Sequence, residues 1–459
     1  MRRVAAVVCL LVLAGCAAPA AQPNLRDGWQ WPEDPPTDRI GFESGVWWNE
    51  SIDVNQSDGL SAAERRAFVA RTSARVERLR GLEFTATVPV EVISRAEYRN
   101  RSVFAGDRSA AYHSWRNQVW EAALVVGEDR NATDAFAALY GGAVQGYYSP
   151  RNDRIVVVSD ADEPVLDRAT LAHELLHALQ DQHFGFTGAT LRDVALAHDG
   201  LTEGDARYVE TLYEERCAAN RSEWRCVPRP APSAGGGGGA PVNQGLFTYI
   251  YQPYADGPQF VHRLRECGGW AAVNAAYDDR PVSTEQTIHP DAYPAETPTR
   301  IRPTDRSSDG WSRFDLQQHA ERLGETGVFT MLWYQRYVDR GALTQRDGAY
   351  SPYDYSHPAS TGWAGDRLVP YRSGSGADAR YGYVWTLRWD SSADAAQFAS
   401  AYRTVLTEQL GAETVRTGVY RVPSGPFADA FRVERRGDTV VVTNAPTVDA
   451  LSRVRAPAE

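Results

Sequence analysis

Lysine is absent from this 459-residue chain, so all 48 of its basic residues are arginine, and against 59 acidic residues they leave a formal net charge of −11. That balance argues against a general nucleic-acid binder, which needs a basic field to neutralise phosphate. No paired Cys-x-x-Cys, glycine-rich phosphate loop or basic patch occurs, which sets aside a redox or nucleic-acid function. Past the amino terminus no stretch is apolar for long enough to form a transmembrane helix. Sulfur is scarce: there are two methionines and five cysteines, at positions 9, 16, 217, 226 and 267. No internal repeat is apparent.

At the amino terminus, Arg2 and Arg3 precede an apolar run from Val4 to Leu13, too short for a folded transmembrane helix and readable as a signal peptide. Leu13-Ala14-Gly15-Cys16 follows and resembles the lipobox of exported lipoproteins. The resemblance implies lipidation at Cys16 and anchoring to the outer face of the cytoplasmic membrane. The expected organisation is then a signal over 1–16 and a Pro-rich tether over 17–38. A large domain over 39–350, interrupted by a Gly/Pro-rich loop at 228–241, precedes a last domain over 360–459. In an oxidising compartment Cys217 and Cys226 would close a short loop around Trp224 and leave Cys267 free; pairing with Cys267 is the alternative.

Patterning predicts a helix over Ser61–Leu79, with Ser61 and Glu64 forming a capping box, and a strand over Val88–Ile93. Gly146-Tyr147-Tyr148-Ser149-Pro150 leads into a second, β-branched strand, Arg154–Ser159. Asp167 caps a helix to about His183, and further helices are predicted over Leu191–Glu215, Gly257–Tyr277 and Leu323–Tyr337. From about Ser360 the pattern becomes strand (Arg367–Tyr371), strand (Tyr381–Trp389), helix (Ala393–Gln409), strand (Gly418–Val422), strand (Phe427–Thr443), helix (Val448–Val454). This last domain carries no cluster of metal-binding or catalytic residue types.

The chemistry concentrates in His173-Glu174-Leu175-Leu176-His177. On an α-helix, positions four apart share a face, so both imidazoles reach one metal at about 2.0–2.1 Å. Glu174 lies about 100° around the helix. There its carboxylate can take a proton from a zinc-bound water without ligating the metal.

Two residues compete as third ligand. His183 has the metzincin spacing, but that pattern needs a glycine where this chain has Gln180, a good helix former. Continued helix carries His183 about 9 Å along the axis and some 240° around from His177. The rival is Glu203 in Gly200-Leu201-Thr202-Glu203-Gly204-Asp205-Ala206, with Glu210 a lesser candidate. Here the chain resembles the gluzincins, the thermolysin-like zinc metallopeptidases, in which a following helix supplies a Glu ligand with small residues beside it.

The resemblance implies a zincin-like metallopeptidase domain, mainly helical with a small sheet; with the smaller α/β sandwich-like domain read from the pattern after Ser360, the expected fold class is α+β. It implies one Zn2+ held by His173, His177 and Glu203, Glu174 as catalytic base, and a peptide or protein substrate. In such enzymes an edge strand aligns the substrate, a role for which Ile155–Val158 is the candidate, and a Tyr or His stabilises the oxyanion, for which Tyr249, Tyr251, Tyr254 and His289 are candidates. The alternative function is a catalytically silent, zinc-containing surface lipoprotein that binds a partner.

Further motifs, among them Ser283-Thr284-Glu285-Gln286-Thr287-Ile288-His289-Pro290 and Gly362-Trp363-Ala364-Gly365-Asp366-Arg367, resemble those of haloarchaeal and bacterial surface lipoproteins. That likeness supplies a location and no substrate.

Overall fold

The computed structural model describes residues 39–100, 108–140, 144, 146–161, 163–230, 242–346 and 350–457. The signal segment with Cys16, the tether and residues 231–241 of the Gly/Pro-rich loop lie outside the described residues. The architecture is mixed α+β, a helical region carrying a small sheet followed by a larger antiparallel sheet.

A short hairpin, β1 (Phe42–Glu43) and β2 (Val46–Trp47), leads into α1 (Ala62–Arg80), where Ser61 and Glu64 form both halves of the capping box. Then come β3 (Val90–Ile93), α2 (Arg95–Asn100), α3 (Ala110–Ala122), α4 (Ala132–Tyr140), β4 (Gly146–Ser149) and β5 (Arg154–Val158). The small sheet has the order β3-β5-β4, with β3 parallel and β4 antiparallel to β5. The edge role expected of Ile155–Val158 is therefore corrected: β5 is the central strand. All four of those residues are buried, as an inner strand covered on both faces requires. The edges are β3 and β4.

The His173–His177 motif lies on α5 (Arg168–Phe184), whose N-cap Asp167 accepts from the N–H groups of Ala169 and Thr170. It packs on α6 (Arg192–Ala218), which packs in turn on α7 (Gln244–Asp278). A Cβ on Gly204 would lie 2.4 Å from the Gly257 carbonyl carbon, so glycine is needed where α6 crosses α7. The small residues beside Glu203 thus serve two neighbours. Gly204 meets α7, and Ala206 joins the apolar cluster of Leu171, Leu175 and Val209 shared with α5. Arg80 of α1 closes the layer through a fully buried ion pair with Asp205, 3.0 Å away, which also accepts from the Tyr277 hydroxyl.

Helix α7 begins well before Gly257, running through Pro253 and Pro258, and its dihedrals are non-helical at Gly268 and Gly269. Prolines read as breakers in sequence; here burial against α6 and α9 (Gly324–Tyr334) outweighs their local preference. Between these helices lie α8 (Thr284–Ile288) and β6 (Trp311–Arg313).

The last part of the chain comprises β7 (Trp363–Ser373), β8 (Arg380–Trp389), α10 (Ser392–Thr404), β9 (Glu413–Arg416), β10 (Val419–Arg421), β11 (Ala430–Arg436), β12 (Thr439–Ala445) and α11 (Leu451–Val454). It forms one antiparallel sheet, ordered β6-β7-β8-β12-β11-β10-β9, with helices packed against it. Phe427–Thr443 is not a single strand, because the chain reverses between β11 and β12 at Gly437, whose φ is 58°. Side chains alternate: Trp385, Leu387 and Trp389 pack with Phe398 of α10, while Val369 and Val384 pack with Leu451 and Val454 of α11. Strand β6 is recruited from within the stretch assigned to the large domain, so the sheet crosses the boundary read near residue 350.

Candidate metal centre

The neighbouring α5 and α6 bring His173, His177 and Glu203 together, all three buried. Their donor atoms form a nearly equilateral triangle. His173 Nε2 lies 3.0 Å from His177 Nε2 and 3.2 Å from Glu203 Oε2, and His177 Nε2 lies 3.3 Å from the same oxygen. Ligands around a tetrahedral zinc at about 2.0–2.1 Å are separated by about 3.3 Å, so one ion can contact all three.

Each imidazole is oriented from behind. His173 Nδ1 lies 3.2 Å from Glu210 Oε2, and Glu210 is braced by Arg207. His177 Nδ1 lies 2.8 Å from Gln180 Oε1, while Gln180 Nε2 donates to the Thr202 carbonyl oxygen at 2.9 Å. Because the amide N–H2 of Gln180 is engaged, its oxygen accepts from Nδ1–H of His177. That leaves the Nε2 lone pair aimed at the triangle. Burial disfavours a charge on His173, but Glu203 and Glu210 outweigh it and hold the pKa up to about 10. Burial likewise works against Glu203 ionisation, and His177 and His173 reverse it, taking the pKa down to about 2. A divalent cation held by His173, His177 and Glu203 would take the place of the His173 proton as counter-charge.

Glu174 is not a member of the triangle. One of its oxygens accepts from the backbone N–H of Tyr148 at 2.7 Å, which ties the carboxylate to the edge strand β4. In the antiparallel ladder Tyr148 pairs with Ile155, whose own N–H bonds to Pro89 on the other side. The main-chain groups of Tyr148 therefore face the open edge. Burial raises the Glu174 pKa, an effect moderated by His173 and His177. Asp199, one turn before Glu203, is raised well above the usual range by burial and by the Glu203 charge.

His183 stands apart: its Nε2 meets the Glu83 carbonyl oxygen at 2.7 Å on the protein surface. Of the oxyanion candidates, Tyr249 is buried with its hydroxyl on the Leu323 carbonyl, and His289 is paired with Glu325 at 3.1 Å. Tyr254 stacks on the His173 ring at 6.4 Å, with Tyr251 stacked behind it at 5.7 Å. On the other flank, Phe186 meets the His177 ring edge-on at 6.4 Å. Cys217 and Cys226 are joined in a disulfide, and Cys267 is free and exposed.

The sequence reading missed Gln180 and Glu210 as orienting groups. Both carried a signal: Gln180 is three residues after His177, and Glu210 is seven after Glu203, each on the same helix face as its reference residue.

Residues 312–455 match the family described as Domain of unknown function (DUF8575). No curated protein and no solved structure matches the chain. The matched span covers the seven-stranded sheet almost entirely and excludes the His173–His177–Glu203 triangle.

Proposed function

We propose that the protein is a zinc-dependent peptidase with a zincin-like catalytic domain, exported and held at the membrane surface by a lipid on Cys16. The observation that carries this reading is the triangle of two imidazole nitrogens and one carboxylate oxygen beside a non-ligating Glu174. Three protein donors without a fourth in the group, among the described residues, suit a catalytic zinc better than a structural one. Bound zinc supplies Lewis acidity toward a carbonyl oxygen and acidifies a water.

The protein's own residues do the rest. Glu174, anchored by Tyr148 N–H and with its pKa raised by burial, accepts a proton from the attacking water and returns it to the leaving amine. Glu210 and Gln180 hold the two rings in one tautomer and orientation. Among the candidate tyrosines, Tyr254 is the one whose ring stacks on His173, and it is assigned the role of stabilising a developing oxyanion. The free edge of β4 lies beside Glu174, where an extended peptide can add as a strand. The Cys217–Cys226 disulfide supports an oxidising, exported location.

The test is metal analysis with peptide-library hydrolysis on the soluble chain begun after Cys16. One zinc per chain is expected, and Glu174→Gln should keep it while losing roughly 10²–10⁴-fold in turnover. Full activity in Glu174→Gln would sink the mechanism. A zinc-loaded wild type that cleaves no library would favour the silent surface protein.

A further inference from the structure

The two motifs that the metal centre leaves unused, Ser283–Pro290 and Gly362–Arg367, come together near Asp390, whose carboxylate lies close to Glu285 and whose N–H bonds to Gly362. Glu285, in the first turn of α8, is 6 % exposed, and its carboxylate makes no hydrogen bond or ion pair among the described residues. Carboxylate oxygens of Glu285, Glu296 and Asp390 all lie within 4.8 Å of one another. The backbone at Asp390 is fixed because its N–H donates to the Gly362 carbonyl oxygen at 2.8 Å. Glu296 is fixed through Gln286, whose amide donates to the Glu296 carbonyl oxygen at 2.7 Å.

Behind Glu285 stands Glu325, fully buried; His289 takes one of its oxygens, and the other, Oε2, has no partner among the described residues. Arginine, abundant elsewhere in the chain, pairs with none of the three clustered carboxylates among the described residues. Like charges at such separations repel, so a largely buried, donor-free carboxylate facing two others is held either by a proton or by a counter-charge.

We propose that Glu285, Glu296 and Asp390 form a calcium site that clamps α8 and the 290–300 segment to the end of β8. The donor set is all oxygen, which suits a hard cation. Glu296 and Asp390 face solvent, so water completes the six to eight positions that calcium takes at about 2.3–2.6 Å. Three oxygens within 4.8 Å of one another are compatible with a shared ion at about that distance. The site draws its ligands from the helical region and from the sheet, so occupancy ties the two together.

The experiment is calcium titration of the zinc-loaded soluble chain, exchanged into calcium-free buffer without chelator, followed by calorimetry and by the melting temperature. One calcium should bind with Kd of about 0.1–1 mM, the range of extracellular modules, and raise the melting temperature. Glu285→Gln, and independently the surface change Asp390→Asn, should each weaken binding by about tenfold or more and remove the thermal shift, with zinc content unchanged. Magnesium at equal concentration should give a smaller shift. Absence of saturable calcium binding in the wild type, or undiminished affinity in both variants, overturns the assignment. Hydrolysis is not the readout, so the calcium site stands or falls separately from the peptidase reading.

Discussion

Glu203 and Glu285 are the same residue type, almost equally buried and both on helices, yet their acidities lie at opposite extremes: about 2 for the first and about 9 for the second. Burial pushes both upward. Around Glu203, two imidazoles reverse the effect; around Glu285, the charges of Glu325, Asp390 and Glu296 reinforce it. A third cluster, Glu121, Glu128 and Asp429, takes yet another course. Glu121 and Asp429 share a hydrogen bond, and Gln118 and Asn444 donate to them. The comparison teaches that a buried carboxylate in this protein stays charged beside a cationic partner and is driven toward its protonated form beside other acids. The neighbours, more than the depth of burial, decide which.

The largest effect that tests this comparison is removal of Glu203. Glu203→Ala should abolish zinc retention and hydrolysis together, because His173 and His177 alone leave the ion half-coordinated. His183→Ala, on a surface residue bonded to Glu83, should leave zinc content unchanged within error. Metal analysis of the two purified variants checks it; zinc lost from the His183 variant and kept by the Glu203 variant would reverse the ligand assignment.

The next effect is smaller and lies one residue shell out. Gln180→Leu preserves helix propensity and volume but leaves Nδ1–H of His177 without an acceptor and frees the Thr202 carbonyl. Zinc affinity should fall about 10–100-fold, measured by competition with a chromogenic chelator. An unchanged affinity would mean that helix packing alone orients the ring.

These residues also mark how far the sequence could be read. The helix over Arg168–Phe184 was legible because Asp167 caps it and its leucines repeat on one face, and Gln180, where the metzincin pattern has glycine, correctly implied that the helix continues past that position. The same Gln180 carries a second role, on His177, that helix propensity does not encode. The register of the small sheet was not legible: Ile155–Val158 has the composition of any buried strand, and nothing local says which neighbour lies on each side. Helix α7 was hidden by Pro253 and Pro258, whose local preference is overridden by packing that sequence periodicity cannot see. The acidic clusters were invisible for the same reason, since Glu121 and Asp429, or Glu285 and Asp390, are distant in the chain and adjacent only in the fold.

The smallest effect comes from the proton-sharing cluster, and its sign distinguishes it from the metal triangle. Burial and the Glu128 charge push Asp429 up to about 7, against an ordinary value of about 4 in the unfolded chain. A carboxyl whose folded pKa is raised binds its proton more tightly in the native state. Its contribution to stability is therefore fully present below about pH 4 and is lost as pH rises through about 7. Asp429→Asn keeps the shape and removes the titration, so the change in melting temperature between pH 5.5 and pH 8 should be smaller in the variant than in the wild type. Asn444, which donates to Asp429 Oδ2 at 2.8 Å, can still donate to the new amide oxygen, so the variant is expected to fold. A variant whose pH profile parallels that of the wild type would show that Glu121 carries the shared proton throughout, and that Asp429 is ionised in the native state as Glu203 is.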